Sequence, residues 1–281
     1  MSSILTNNSA MVALQTLKSV NSNLAKTQDM ISTGKSIATA KDNSAIWAIS
    51  KVMESDVAGF RAISDSLSVG EATVAVALAG ADQIVAVLTE MKELAIAATS
   101  ETADFAKIEA DMAEKDAQIA QIISSSQFNG VNLLLADVDG DGGDQLTVLA
   151  SLDRAGSGTP SISTIDVASV EFDDDLDVAS DRTTITDADD AQDVLDEIEG
   201  FLQTAIQGAA NLGASAKRIS DQNEFVGKLT DAMRSGIGAL VDADMEEASA
   251  RLQALQVQQQ LATQSLSIAN QAPQSILALF R

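Results

Sequence analysis

The sequence predicts a mainly α-helical fold: a long antiparallel helical bundle or coiled coil with both termini at one end, plus a β-hairpin and a small variable β/loop insert. Three observations carry this. Apolar residues recur at alternating spacings of four and three near both ends, which is the seam of a coiled coil. The 281-residue chain has two prolines, and its long stretches are rich in the helix formers Ala, Leu, Ile, Gln and Glu. One segment, 136–190, breaks that pattern with Asp, Gly, Ser and Thr.

Taken in order, residues 1–42 hold the first seam: Ala10, Leu14, Leu17, Asn21, Leu24, Gln28 and Ile31. Ile46, Ile49, Val52, Met53, Val57 and Phe60 then begin a long helix predicted over about 44–100. A break at Thr99–Ala103 follows, with Thr102 as the expected cap of a helix through Ile108, Met112, Ile119, Ile122 and Ile123. Asn129-Gly130 is a turn signal, and the runs Val131–Leu135 and Leu146–Ala150 read as short strands. Helical spacing returns at Val194, Ile198, Phe201, Leu202 and Ala205 and continues to Leu240. The last stretch carries the second seam: Val241, Met245, Ala248, Leu252, Leu255, Gln259, Ala262, Leu266 and Ala269. The domains expected are therefore 1–42 with 244–281 as a terminal coiled coil, 43–135 with 191–243 as a helical rod bearing the hairpin, and 136–190 as a surface-exposed acidic insert.

Composition narrows the function. Cysteine and histidine are both absent. That removes disulfides, thiolate nucleophiles, the usual general base and the commonest metal ligand. The net charge is −24. Its acids crowd into 137–199, where Arg154 and Arg182 are the only bases, while residues 1–41 carry Lys18, Lys26, Lys35 and Lys41 against Asp29 alone. Such a distribution argues against nucleic-acid binding. It fits a solvated outer face with ends that can come together. The start, Met1–Asn8, has neither a charged leader nor a long apolar block, so it does not read as a cleavable signal. The longest apolar run, Val74–Ala79, is too short to span a bilayer, and no membrane insertion is expected.

Fragments with a chemical look fail on spacing. Gly34-Lys35-Ser36 resembles the end of a phosphate loop, but Asp29 stands where the earlier glycine is needed. Ser32-Thr33-Gly34-Lys35 fits Ser-x-x-Lys without companion motifs. No catalytic residues and no cofactor are expected. Asp137-Val138-Asp139-Gly140-Asp141-Gly142 matches the opening of a calcium loop, yet Val148 occupies the place of its bidentate acid. The two readings are a weak calcium site through Asp137, Asp139, Asp141 and Asp144, and a solvated turn.

Several segments then resemble one family. Ile4–Met11 followed by Leu14-Gln15-Thr16-Leu17 looks like the amino end of bacterial flagellin. Ile31–Lys35 with Ala40-Lys41-Asp42-Asn43-Ser44-Ala45 resembles its signature, and Gln127–Val131 resembles its turn into a hairpin. Ile268–Arg281 is similar to its terminal motif. The matches cover about 1–135 and 191–281 and look most like the short flagellins of alphaproteobacteria. The resemblance implies the structural subunit of an extracellular, secreted bacterial flagellar filament used for swimming, and not an enzyme. Its partners would be further copies of itself, alone or mixed with other flagellins, the flagellar type III export apparatus, an export chaperone, and hook-associated and cap proteins. The residues expected to carry assembly are the seam positions Leu14, Leu17, Leu24, Ile31, Met245, Leu252, Leu255 and Leu266, with Leu277, Leu279 and Phe280 at the carboxyl end. Thr89, Glu90, Lys92 and Leu94 fall in the stretch contacted by the animal flagellin-sensing receptor in enteric flagellins, which carry arginine where this chain has Glu90. The alternative within the same superfamily is a hook–filament junction protein.

Overall fold

The structure, a computed structural model, describes residues 7–154 and 159–279, with 272–279 as backbone only. Its elements run α1 (Asn8–Thr33), α2 (Ser44–Ala98), α3 (Phe105–Ser125), β1 (Gln145–Asp153), β2 (Ser161–Ala168), α4 (Phe172–Asp175), α5 (Val178–Asp181), α6 (Ala188–Val241) and α7 (Met245–Leu279).

Each long helix starts at an Asn or Asp whose side chain accepts a hydrogen bond from one of the helix's free first-turn N–H groups. Asn7 Oδ1 accepts from Ala10 N at 3.1 Å, and Asn43 Oδ1 from Ile46 N at 3.2 Å. Asp187 Oδ1 accepts from Asp190 N at 2.9 Å, and Asp244 Oδ1 from Glu247 N at 3.1 Å. The cap of α3 is Asp104, which accepts from Lys107 N at 3.2 Å, and not Thr102, whose hydroxyl pairs with Ser100 Oγ. The carboxylate also meets the positive end of the helix dipole, an attraction a hydroxyl lacks.

The chain forms two compact units. One contains the chain up to Ser55 together with that from Ala232 onward, and the other is Asp56–Asp231. In the first, α1 packs against α7. They run antiparallel, since Asn7 reaches Ala269, Asn21 reaches Gln259, and Gly34 O accepts from Ala243 N at 2.9 Å. Gly34 ends α1 in the left-handed conformation (φ 69°), and the chain after it pairs with residues around Val241.

In the second unit, α2 buries Leu67, Val74, Ala77, Ala81, Ile84, Leu88, Met91 and Ala95 along one face. α2 also contains an 18-residue window with mean hydropathy 1.7, apolar and long enough by composition to cross a membrane. Counting only unbroken apolar runs overlooks such a window. Much of its apolar surface is turned into this core, 44% of the window being buried. The hairpin lies on this helix: a Cβ at Gly70 would sit 2.7 Å from Val148 Cγ2. On α6, Gly208 makes room for the fully buried ring of Phe172 from α4.

The hairpin is antiparallel, Gln145 pairing with Ala168 and Asp153 with Ser161. Its register shifts between Leu149 and Ser151, a bulge at Ala150, whose carbonyl accepts from Gln222 Nε2 on α6 at 2.8 Å. Both strands therefore lie within 136–190. Val131–Leu135, read as a strand from sequence, is not one. Asn132, Leu133 and Leu134 are consecutively buried, so the segment does not alternate. Asn132 Oδ1 accepts from Leu134 N, and its amide donates to Ile123 O, both hydrogen bonds holding a compact turn.

Candidate assembly surfaces

The face that α1 turns to α7 is Leu17, Val20, Leu24, Thr27 and Ile31, with Val20 and Thr27 buried. The period is that of the sequence seam, but alternate positions move by one residue. Leu14 is 44% exposed, and Asn21 and Gln28 are exposed as well. Two β-branched side chains fill the seam in place of two amides, because the Thr27 hydroxyl is satisfied within its own helix, donating to Asn23 O at 2.9 Å. A polar residue that bonds its own helix is indistinguishable by spacing from a solvated one, so the sequence could not choose between the two phases. On α7 the facing residues are Ala248, Leu252, Leu255, Gln259, Ala262 and Leu266, with Met245 exposed at the start of the helix. Asn21 and Gln259 bond each other at 2.8 Å.

One interaction was not legible beforehand. Pro273 has no N–H, so the carbonyl of Ala269, four residues earlier on α7, lacks its helical donor. The Asn7 side-chain amide donates to that carbonyl at 2.7 Å. A single residue thus caps α1 and completes α7.

Both helices carry apolar residues away from their mutual seam. Met11 and Val12 are exposed on α1, and Val257, Leu261 and Ile268 on α7, Ile268 by 66%. At 100° per residue the three α7 positions lie within about 40° of one another and roughly opposite Leu255. The second apolar face of α7 is thus a stripe and not a scatter. The side chains of Leu277 and Leu279, and all of Phe280, lie outside the described residues.

The other sequence-predicted positions lie in the second unit. Thr89 and Glu90 are exposed on α2, and Leu94 is half-buried. Glu90 accepts from Lys115 Nζ of α3, and Lys92 donates to Glu199 of α6. The charge at Glu90 is therefore paired. In the 137–144 loop, Asp137 Oδ1 accepts from the backbone of Gly140 and Gly142, and Asp139 Oδ1 from Asp141 and Gly143. Those backbone bonds hold the Asp139 carboxyl below its usual range. These four backbone bonds give the loop the geometry of a self-capped turn.

The strongest electrostatic feature joins the acidic segment to α3. Arg182, its side chain only 5% exposed, donates to Glu109 Oε1 at 2.8 Å and to Asp116 Oδ2 at 3.2 Å. Glu109 also accepts from Ile185 N. Burial acts to raise both carboxyls. For Asp116 burial prevails over Arg182 and the pKa goes up; for Glu109 the bonds from Arg182 and Ile185 outweigh burial and it goes down.

Comparisons with known proteins agree with this architecture. Residues 4–138 match the bacterial flagellin N-terminal helical region, and residues 195–280 match the bacterial flagellin C-terminal helical region. Flagellin FljK of Caulobacter vibrioides is 42% identical over 284 residues, covering 100% of this chain and 99% of its own length. The flagellin of Brucella melitensis is 40% identical over 287 residues and flagellin C of Rhizobium meliloti 35% over 321, each covering 100% of both chains. With its long capped helices, its paired terminal helices and family matches at both ends, this chain belongs to the bacterial flagellin family, the structural subunits of the flagellar filament.

Proposed function

We propose that this flagellin polymerises through the outward apolar faces of α1 and α7, the helices already joined by their inner faces. The observation that carries the reading is the second stripe, Val257, Leu261 and Ile268, opposite the seam of α7 and exposed in the monomer. A helix with apolar residues on two sides buries both only when another helix covers the outer one. The occupant is the same helix pair in a second copy. Leu14, Met11 and Val12 supply exposed apolar surface on α1, and the apolar tail residues Leu277, Leu279 and Phe280 are assigned to assembly with them. In the filament, residues 1–42 with 244–281 form the inner layer, 43–135 with 191–243 the outer helical layer, and 136–190 the outermost, acidic surface.

In this reading the chain is exported by the flagellar type III apparatus with an export chaperone. It assembles beyond the hook-associated proteins and under a cap, and works outside the cell as a propeller without enzymatic activity. Deleting residues 270–281 should leave a folded monomer, by circular dichroism, that does not extend filament seeds in electron micrographs. Normal filaments from that truncation would overturn the role given to the tail. A full-length chain that stops after a few added copies on the seed would instead identify the junction protein.

A further inference from the structure

We infer that Met11 is an oxidation site that controls assembly, which rests on the outer-face docking proposed above: a peroxide that converts its thioether to the sulfoxide stops the subunit from joining a filament and leaves its fold intact. The chain has eight methionines. Among the described residues two are exposed, Met11 at 61% and Met245 at 43%. Met30, Met53 and Met233 are half-buried, the Met53 methyl lying 3.5 Å from where a Cβ at Gly236 of α6 would stand, and Met91 and Met112 are fully buried. The two exposed thioethers sit differently on the helix pair. At 100° per residue Met11 lies about 180° from Val20 of the inner seam, farther round α1 than Val12 or Leu14. Leu14, itself exposed, follows one turn later. Met245 lies within about 20° of Leu252, on the seam side of α7.

Oxidation of a thioether needs contact between sulfur and oxidant, so exposure ranks the sites. The sulfur lone pair forms an S–O bond with one peroxide oxygen while the O–O bond breaks. Sulfur loses two electrons, and the other oxygen departs as water with both peroxide hydrogens. The side chain becomes polar, and its new oxygen is an acceptor that needs a donor wherever water is excluded. In the free subunit Met11 faces solvent, so that oxygen stays hydrated and the inner seam of the helix pair is untouched. Under a docked copy the same oxygen loses its water and meets apolar side chains, which offer no donor. Met245 reacts as well, but away from the outer stripe: Val257, Leu261 and Ile268 lie about 120–160° round α7 from it.

The test treats the full-length monomer with hydrogen peroxide, removes the oxidant with catalase, maps sulfoxides by peptide mass spectrometry and follows seeded growth by light scattering. Met11 and Met245 should convert first, with Met91 and Met112 slower by about tenfold or more. The oxidised monomer should keep its circular dichroism and Tm, while its seeded growth falls about tenfold. Reduction by methionine sulfoxide reductases of both stereospecificities should restore growth. Met11→Leu, compared with its own untreated rate, should lose the sensitivity to peroxide, and Met245→Leu should keep it. Unchanged growth of monomer whose Met11 is fully oxidised would overturn the site, as would a loss of growth in treated Met11→Leu equal to that in wild type. Untreated Leu14→Asp and Leu261→Asp test the outer-face docking alone. If they fail to grow while oxidised wild type grows, only the oxidation site falls; if they grow normally, both fall.

Discussion

At the amino end of α1 the side chain of Asn7 divides its oxygen and nitrogen between two helices, capping one and supplying the donor that Pro273 denies the other. Asn7→Asp keeps the cap acceptor and loses the donor, while Asn7→Ala loses both. The expected order of monomer stability by urea unfolding is wild type, Asp, Ala, with the Ala variant about 1–2 kcal/mol below wild type. At Arg182 the logic is burial of charge. Arg182→Met leaves Glu109 and Asp116 without their shared cation and should cost about 3 kcal/mol. The two carboxyls give opposite pH slopes. Glu109, lowered on folding, stabilises above the ordinary glutamate range, and that contribution is lost as pH falls through its depressed pKa. Asp116, raised on folding, costs stability as an anion, and protonation relieves that cost. Monomer Tm measured between about pH 6 and pH 3 should fall less steeply in Glu109→Gln and more steeply in Asp116→Asn.

Among the helices, the inner and outer faces of the α1–α7 pair separate folding from assembly. Leu255 is buried in the seam, so Leu255→Ala should cost the monomer about 2 kcal/mol or more. Leu14 and Leu261 are exposed, so Leu14→Asp and Leu261→Asp should leave the monomer Tm nearly unchanged and slow seeded growth at least tenfold, read by light scattering. If both exposed variants grew normally, the outer faces would not be the assembly surface. On α6 two glycines of the same helix should respond with opposite sign. A Cβ at Gly200 meets nothing within 4 Å, so Gly200→Ala should gain about 1 kcal/mol from helix propensity. At Gly208 the added carbon would lie 2.5 Å from Phe172 Cζ, and the ring is fully buried and cannot retreat, so Gly208→Ala should lose about 1–3 kcal/mol.

Over the whole molecule, a net charge of −24 makes every subunit repel the next. Raising salt from about 10 to 150 mM shortens the screening length from about 30 Å to about 8 Å. Seeded elongation should therefore accelerate several-fold over that range, and a rate independent of salt would show that the acidic segments of neighbouring subunits stay far apart.

The helical class, the near-uninterrupted long helices, the two terminal seams and the family were all legible in the order of residues alone. These are properties of local spacing and composition: the period of Leu17, Leu24 and Ile31, the rarity of proline, and the Asn and Asp at helix starts are visible one turn at a time. Tertiary structure decided which phase of the first seam closes, because Val20 and Thr27 replace Asn21 and Gln28 only once Thr27 is satisfied by its own helix. It decided that Val131–Leu135 is a buried turn and that the hairpin lies later, since pairing depends on partners distant in sequence. It alone joined Asn7 to Ala269, and Arg182 to Glu109 and Asp116, where a donor and an acceptor far apart along the chain meet and no local pattern could have announced them.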